Sequence, residues 1–142
     1  MDVERQNQYS WKLEFIIDKI SRLPENPAED EFYWDALFYR LQVSIDTSMD
    51  VIAMLCKDVG ISVGDDYSNI ESLRSNSILD PEMLDEMRRL NGLRNILVHR
   101  YNKIEGDTVL AEEKQVVAIL TDFATRVEEF VKNGFSNDSE SI

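Results

Sequence analysis

The chain has 142 residues, a formal charge of −13, 43% hydrophobic residues, one histidine and one cysteine. That length fits one domain, which on folding buries roughly two-thirds of the surface the unfolded chain exposes. Five Gly and three Pro against so much Leu, Ile and Val exclude a disordered chain and a repeat array. Cys56 alone closes no internal disulfide, the polar opening MDVERQNQYS lacks the basic and apolar regions of a signal peptide, and no apolar run reaches the roughly 18 residues a membrane span needs. The expectation is a soluble cytoplasmic protein without membrane contact.

Helical spacing dominates from the start. Tyr9, Leu13, Ile16, Ile17 and Ile20 fall at helical offsets, which predicts a first helix from Val3 to Leu23, ended by the two prolines of LPENPAED. Trp34, Phe38, Leu41, Ile45, Ser48, Ile52, Leu55 and Val59 then alternate steps of four and three, the seam of an antiparallel bundle. This second helix is expected from Ala28 to Val59, with Gly60 as its C-terminal stop. Ser68 and Glu71 stand at the spacing of a capping box and predict a short helix through Leu73 toward Ser77. Asp80 followed by Pro81 is a strong start for the next helix. The turn EGDT, 105–108, is expected to end it, and Val116, Leu120, Phe123, Val127 and Phe130 mark a last long helix. The expected fold is all-α: an antiparallel bundle of four main helices plus a short extra one, with 1–133 as a single domain and 134–142 as a polar, disordered tail.

Charge is distributed unevenly over this plan. From Arg88 to Lys103 there are five basic residues (Arg88, Arg89, Arg94, Arg100 and Lys103) and no Asp or Glu, so the window carries +5 and the rest −18. A cationic island on an anionic body focuses a local field attractive to phosphate. Within the same window Met83, Met87, Leu90, Arg94, Leu97 and Tyr101 continue the core seam, which places an arginine in a core register. At 100° per residue Asn91, Arg94, Asn95, His99 and Asn102 share an arc of about 140°, with Leu93 and Ile96 outside it. The helix is therefore expected to pack on one side and to border a polar cleft on the other. Polar groups at a packed face are costly unless paired, and Asp46 or Asp50 on the second helix are candidate partners for Arg94.

The stretch GLRNILVHRYNKI, 92–104, resembles the Arg-x4-His-x-Tyr motif of HEPN-fold proteins of the HepT type, the toxin halves of toxin–antitoxin pairs encoded beside minimal nucleotidyltransferases. The resemblance covers roughly Tyr9 to Val131 and includes a long second helix with an acidic residue among small and apolar ones, here Asp46. It implies a dimeric HEPN-like bundle in which the motifs of two copies meet across a cleft, and a metal-independent endoribonuclease with no cofactor. RNA cleavage by a 2′-hydroxyl needs a base, an acid and positive charge for the phosphorane, and one chain offers one imidazole. By the resemblance, Arg94, His99 and Asn95 are the catalytic residues, duplicated by a two-fold axis. Arg88, Arg89, Arg100 and Lys103 hold flanking phosphates without reading sequence. Tyr101 matches the tyrosine to which the partner nucleotidyltransferase of such toxins attaches AMP.

Other chemistries fit poorly. The chain has no zinc motif, no glycine-rich phosphate loop and no Gly-x-Ser-x-Gly elbow, although Asp46 and Asp50, four apart, could bind a metal or steer acid–base work. Two readings without catalysis stay open: a silent HEPN module that binds a nucleotidyltransferase or nucleotides, and a structural adaptor. Loss of metal-independent RNA cleavage in Arg94 and His99 variants separates the first reading from these.

Overall fold

A computed structural model describes residues 1–24, 30–99 and 103–134, excepting the side chains of 103–105 and 134. Five α-helices carry the described chain: α1 (Val3–Ser21), α2 (Glu31–Asp58), α3 (Asp66–Ser72), α4 (Pro81–Val98) and α5 (Lys103–Glu129), with a 3-10 turn after α3 and a π-helical turn, Phe130–Gly134, after α5. No strand occurs among the described residues, and no helix there is long and apolar enough to cross a membrane.

Side-chain acceptors set the helix starts. Asp2, Asp30, Asp65 and Asp80 each have extended backbone and accept a hydrogen bond from an N–H of the first turn, which satisfies one of the donors a helix start leaves open. Pro81 follows Asp80 as expected. The capping box at Ser68 and Glu71 does not form. Asp65, three residues upstream, accepts from the Ser68 N–H at 2.8 Å and starts α3 earlier, while Glu71 turns to arginines. Gly60, at φ +84°, ends α2 in the left-handed region, and the Ile61 N–H reaches back to the Cys56 carbonyl at 2.8 Å.

Ion pairs and hydrogen bonds fix the packing. Arg5 meets Asp58, Lys12 meets Asp50 and Arg40 donates to the Lys19 carbonyl, so α1 and α2 run antiparallel. Arg126, late in α5, donates to the Ile78 carbonyl just before α4, which makes those two antiparallel as well. Trp34 near the start of α2 abuts Gly106 near the start of α5. The four long helices thus alternate in direction, and α3 lies against α2 and α4. The expected seams fill the core: Leu41, Ile45, Ser48, Ile52 and Leu55 of α2, Met87, Leu90 and Leu97 of α4, and Val116, Leu120, Phe123 and Val127 of α5 are buried. Ile17 departs from its seam, being 38% exposed along a groove between α1 and α5.

The break between α4 and α5 is the main correction to the sequence reading. Residues 105–108 are helical, within α5, and α4 already stops at Val98. Gly106 is no turn former: a Cβ there would stand 2.9 Å from the Trp34 ring, so the missing side chain admits the indole. Of the expected tail, 134–142, Gly134 closes the π-helical turn after α5, and 135–142 lie outside the described residues.

Candidate active site at the end of α4

Arg94 and Asn95 sit among the last five residues of α4. The Arg94 Nε donates to Asp46 Oδ1 of α2 at 2.6 Å, and its Nη1 lies 3.4 Å from Asn95 Oδ1. Of the two carboxylates open to it from the sequence, Arg94 takes Asp46; Asp50 instead holds Lys12 at 3.5 Å. The Arg94 side chain stays 34% exposed, so it is held without being enclosed. A charge-assisted bond at that length on the Nε edge fixes the plane of the guanidinium.

Burial raises the carboxyl of Asp66, at the start of α3, above its ordinary range; Arg94 opposes that rise, and Asp46, Asp50 and Asp65 add to it. Arg94 therefore stands where three helices, α2, α3 and α4, bring polar groups together. No group of three or more His, Cys, Asp or Glu among the described residues could hold a metal ion.

His99 does not lie on the helical wheel. It is the C-cap, at φ −107° and ψ 31°, and its N–H bonds to the Ile96 carbonyl at 3.1 Å. The residue is exposed, directly after α4 and five positions beyond Arg94. Asn91 also leaves the expected arc. It is 4% exposed on the packed face of α4, and its Oδ1 has no hydrogen-bond partner, a burial that costs on the order of 1–3 kcal/mol. Ile96 and Val98, at 39% and 41% exposure, face outward beside Asn95 and His99, so α4 ends in a partly apolar, partly polar open surface.

The basic island is dispersed by the fold. Arg88 pairs with Glu71 of α3 at 3.1 Å and lies over the Tyr67 ring, 5.2 Å from its centre. Arg89 pairs with Glu112 of α5 at 2.7 Å. With Arg94 on Asp46, three consecutive cations of the window turn to three different helices, each onto a carboxylate. Arg100, Tyr101 and the Lys103 side chain lie outside the described residues. Nothing in the sequence marked Glu71, Glu112 and Tyr67 as partners of these arginines, because the ion pairs join positions 17 and 23 apart with no helical period between them.

Comparison with known proteins identifies relatives of the chain. Residues 9–133 match the family described as Ribonuclease HepT-like. An Archaeoglobus fulgidus protein named "Putative RNase" is 41% identical over 128 residues, 90% of this chain and 96% of its own length. A Methanocaldococcus jannaschii protein of the same naming is 44% identical over 70 residues, 49% of this chain and 80% of its own. Among solved structures, a chain of a mutant toxin–antitoxin MntA-HpeT superposes with a TM-score of 0.75 at 18% identity, over 85% of this chain and 98% of that one. A structure described as a tri-AMPylated Shewanella oneidensis HEPN toxin in complex with MNT antitoxin does so at 0.66 and 17%, over 91% and 99%. The shared fold is that of HEPN toxins.

Proposed function

The chain belongs to the HepT-like ribonuclease family, and on that premise we propose that it is the toxin of a toxin–antitoxin pair, a metal-independent endoribonuclease restrained by a cognate minimal nucleotidyltransferase. The observation that carries this reading is the Arg94–Asp46 contact at 2.6 Å: it holds a solvent-open guanidinium in a fixed plane on the helix that ends in an exposed His99. A guanidinium so oriented can donate two parallel bonds to the non-bridging oxygens of a phosphodiester and gains most as their charge grows in the phosphorane.

In the proposed reaction the 2′-oxygen attacks the adjacent phosphorus and the P–O5′ bond breaks. The products are a 2′,3′-cyclic phosphate and a 5′-hydroxyl. One imidazole takes the 2′ proton as general base and a protonated one supplies the proton to O5′ as general acid. The chain has a single histidine, and a homodimer with its two α4 ends facing would provide both roles in one cleft. Asn95, exposed beside Arg94, orients the ring or the phosphate. Arg88, Arg89, Arg100 and Lys103 hold the flanking backbone. AMP attached to Tyr101 by the nucleotidyltransferase would bring a phosphodiester of its own to Arg94 and close the cleft.

A second reading has one observation in its favour. Arg88, Arg89 and Arg94 each carry a carboxylate partner, so much of the island's charge is balanced within the fold; a silent module that binds the nucleotidyltransferase or nucleotides needs less free charge than a nuclease. RNA incubated in EDTA with the wild type, Arg94→Ala and His99→Ala decides between the two. The nuclease reading expects cyclic-phosphate ends from the wild type and at least about a hundredfold less cleavage from each variant. RNA bound but uncut by the wild type establishes the silent module instead.

A further inference from the structure

The two flanks of α1 differ in charge. The flank facing α5 carries Glu14 and Asp18 along its groove. From Gln8 to Lys19 the flank facing α2 carries Trp11, Lys12, Phe15 and Lys19 and no acidic residue, four positions that recur at helical spacing. Trp11 is 68% exposed and Phe15 38%, and Tyr39 of α2, which shares the Lys19 ammonium with Phe15, is 54% exposed: three large rings open to water along this flank.

The cations here are disposed differently from those of α4. Lys19 forms no ion pair with a carboxylate among the described residues; its ammonium lies 5.2 Å from the Phe15 ring centre and 5.9 Å from that of Tyr39. Arg40 donates to the Lys19 carbonyl, which adds a second cation to the same turn. Lys12 reaches Asp50 only at 3.5 Å. Between Trp11 and Phe15 a cavity of about 380 Å³ opens, lined also by Gln8, Lys12 and Thr47. Thr47 adjoins Asp46, the residue that holds Arg94, so the cavity and the guanidinium flank one turn of α2.

Rings that lie open beside cations are the elements of a single-strand binding groove: bases stack on the rings whatever their identity, and the cations follow the backbone. A duplex keeps its bases stacked on one another and has none to offer. We infer that the Trp11–Phe15–Tyr39 strip, with Lys12, Lys19 and Arg40, is a stacking platform for single-stranded RNA that leads across α2 to Arg94. The inference rests on the nuclease reading only for the choice of RNA as the nucleic acid.

Binding is measured by fluorescence anisotropy on the full chain, with a short 2′-O-methyl oligonucleotide that cannot be cleaved, as a single strand and as a duplex. Light scattering follows the oligomeric state of every variant. The expected result is preference for the single strand and its loss by about tenfold in Trp11→Ala and in Lys19→Glu, with Lys19→Arg close to wild type and the oligomer unchanged. Wild-type affinity in both variants, or no single-strand binding by the wild type, overturns the platform. So does a change of oligomeric state in Trp11→Ala, which assigns the strip to contact between copies. Cleavage of unmodified RNA is read separately: binding lost in the variants with no cutting by the wild type keeps the platform and removes the nuclease, and cutting with unaltered binding does the reverse.

Discussion

Two arginine–aspartate pairs tie α2 to its neighbours, and they differ in what surrounds the same chemistry. At the C-terminal end of α2, Asp58 accepts from Arg5 Nε at 2.9 Å and from the Tyr9 hydroxyl at 2.6 Å. Arg5 also lies over the Tyr9 ring, and Tyr9 is 1% exposed. Burial first and the Asp58 bond second keep the Tyr9 phenol protonated well beyond its ordinary range. Midway along α2, Asp46 accepts one bond from Arg94, and both side chains remain about a third open, at 37% and 34%. A pair more deeply set, whose carboxylate accepts from two side chains of the neighbouring helix, fastens helices; a pair left open on one side holds a side chain in place for something else.

That difference can be broken experimentally, most strongly at the closed pair. Asp58→Ala strands a buried hydroxyl and a half-buried guanidinium, and is expected to cost about 2–3 kcal/mol in urea unfolding while leaving RNA cleavage per folded molecule near wild type. An equal loss of cleavage in folded protein would deny that this pair is purely a fastener. Asp46→Ala should behave in the opposite way. An exposed pair contributes under about 1 kcal/mol to stability, but a guanidinium released from its plane should lower cleavage by about 10- to 100-fold. A stability loss as large as that of Asp58→Ala, with normal turnover, would make the two pairs alike.

An uncharged contact provides a scale for both. Gly106→Ala pushes a methyl against the Trp34 ring, and the gain in helix propensity offsets part of the clash; a net loss of about 1 kcal/mol is expected in the same unfolding assay, with the near-ultraviolet circular dichroism of Trp34 altered. The smallest effect concerns Asp66, whose carboxyl is raised in the fold, chiefly by burial. A carboxyl raised above its unfolded value stabilises below that unfolded value, near 3.9, and loses this contribution as pH climbs through the folded value. Asp66→Asn is therefore expected to be neutral at pH 3 and to gain about half a kcal/mol or less at pH 7. A gain at pH 3 that disappears at pH 7 would reverse the sign.

Sequence alone determined the helices and their inward faces, because a core seam is a local property: steps of four and three place Leu41, Ile45 and Ile52 of α2, or Leu120, Phe123 and Val127 of α5, on one side of a helix whatever stands opposite. It also offered Asp46 and Asp50 as candidate partners of Arg94, since a cation in a core register needs a carboxylate. Tertiary structure alone decided what crosses between helices. Gly106 looks like a turn until Trp34 is set against it, and Ser68 looks like a cap until Asp65 takes its N–H. The +5 window looks like a single patch until Glu71, Glu112 and Asp46 draw Arg88, Arg89 and Arg94 to three separate helices. The reason is common to all of these: a side chain's partner is chosen by distance in space, and residues 17, 23 or 48 positions apart become neighbours only after the bundle has formed.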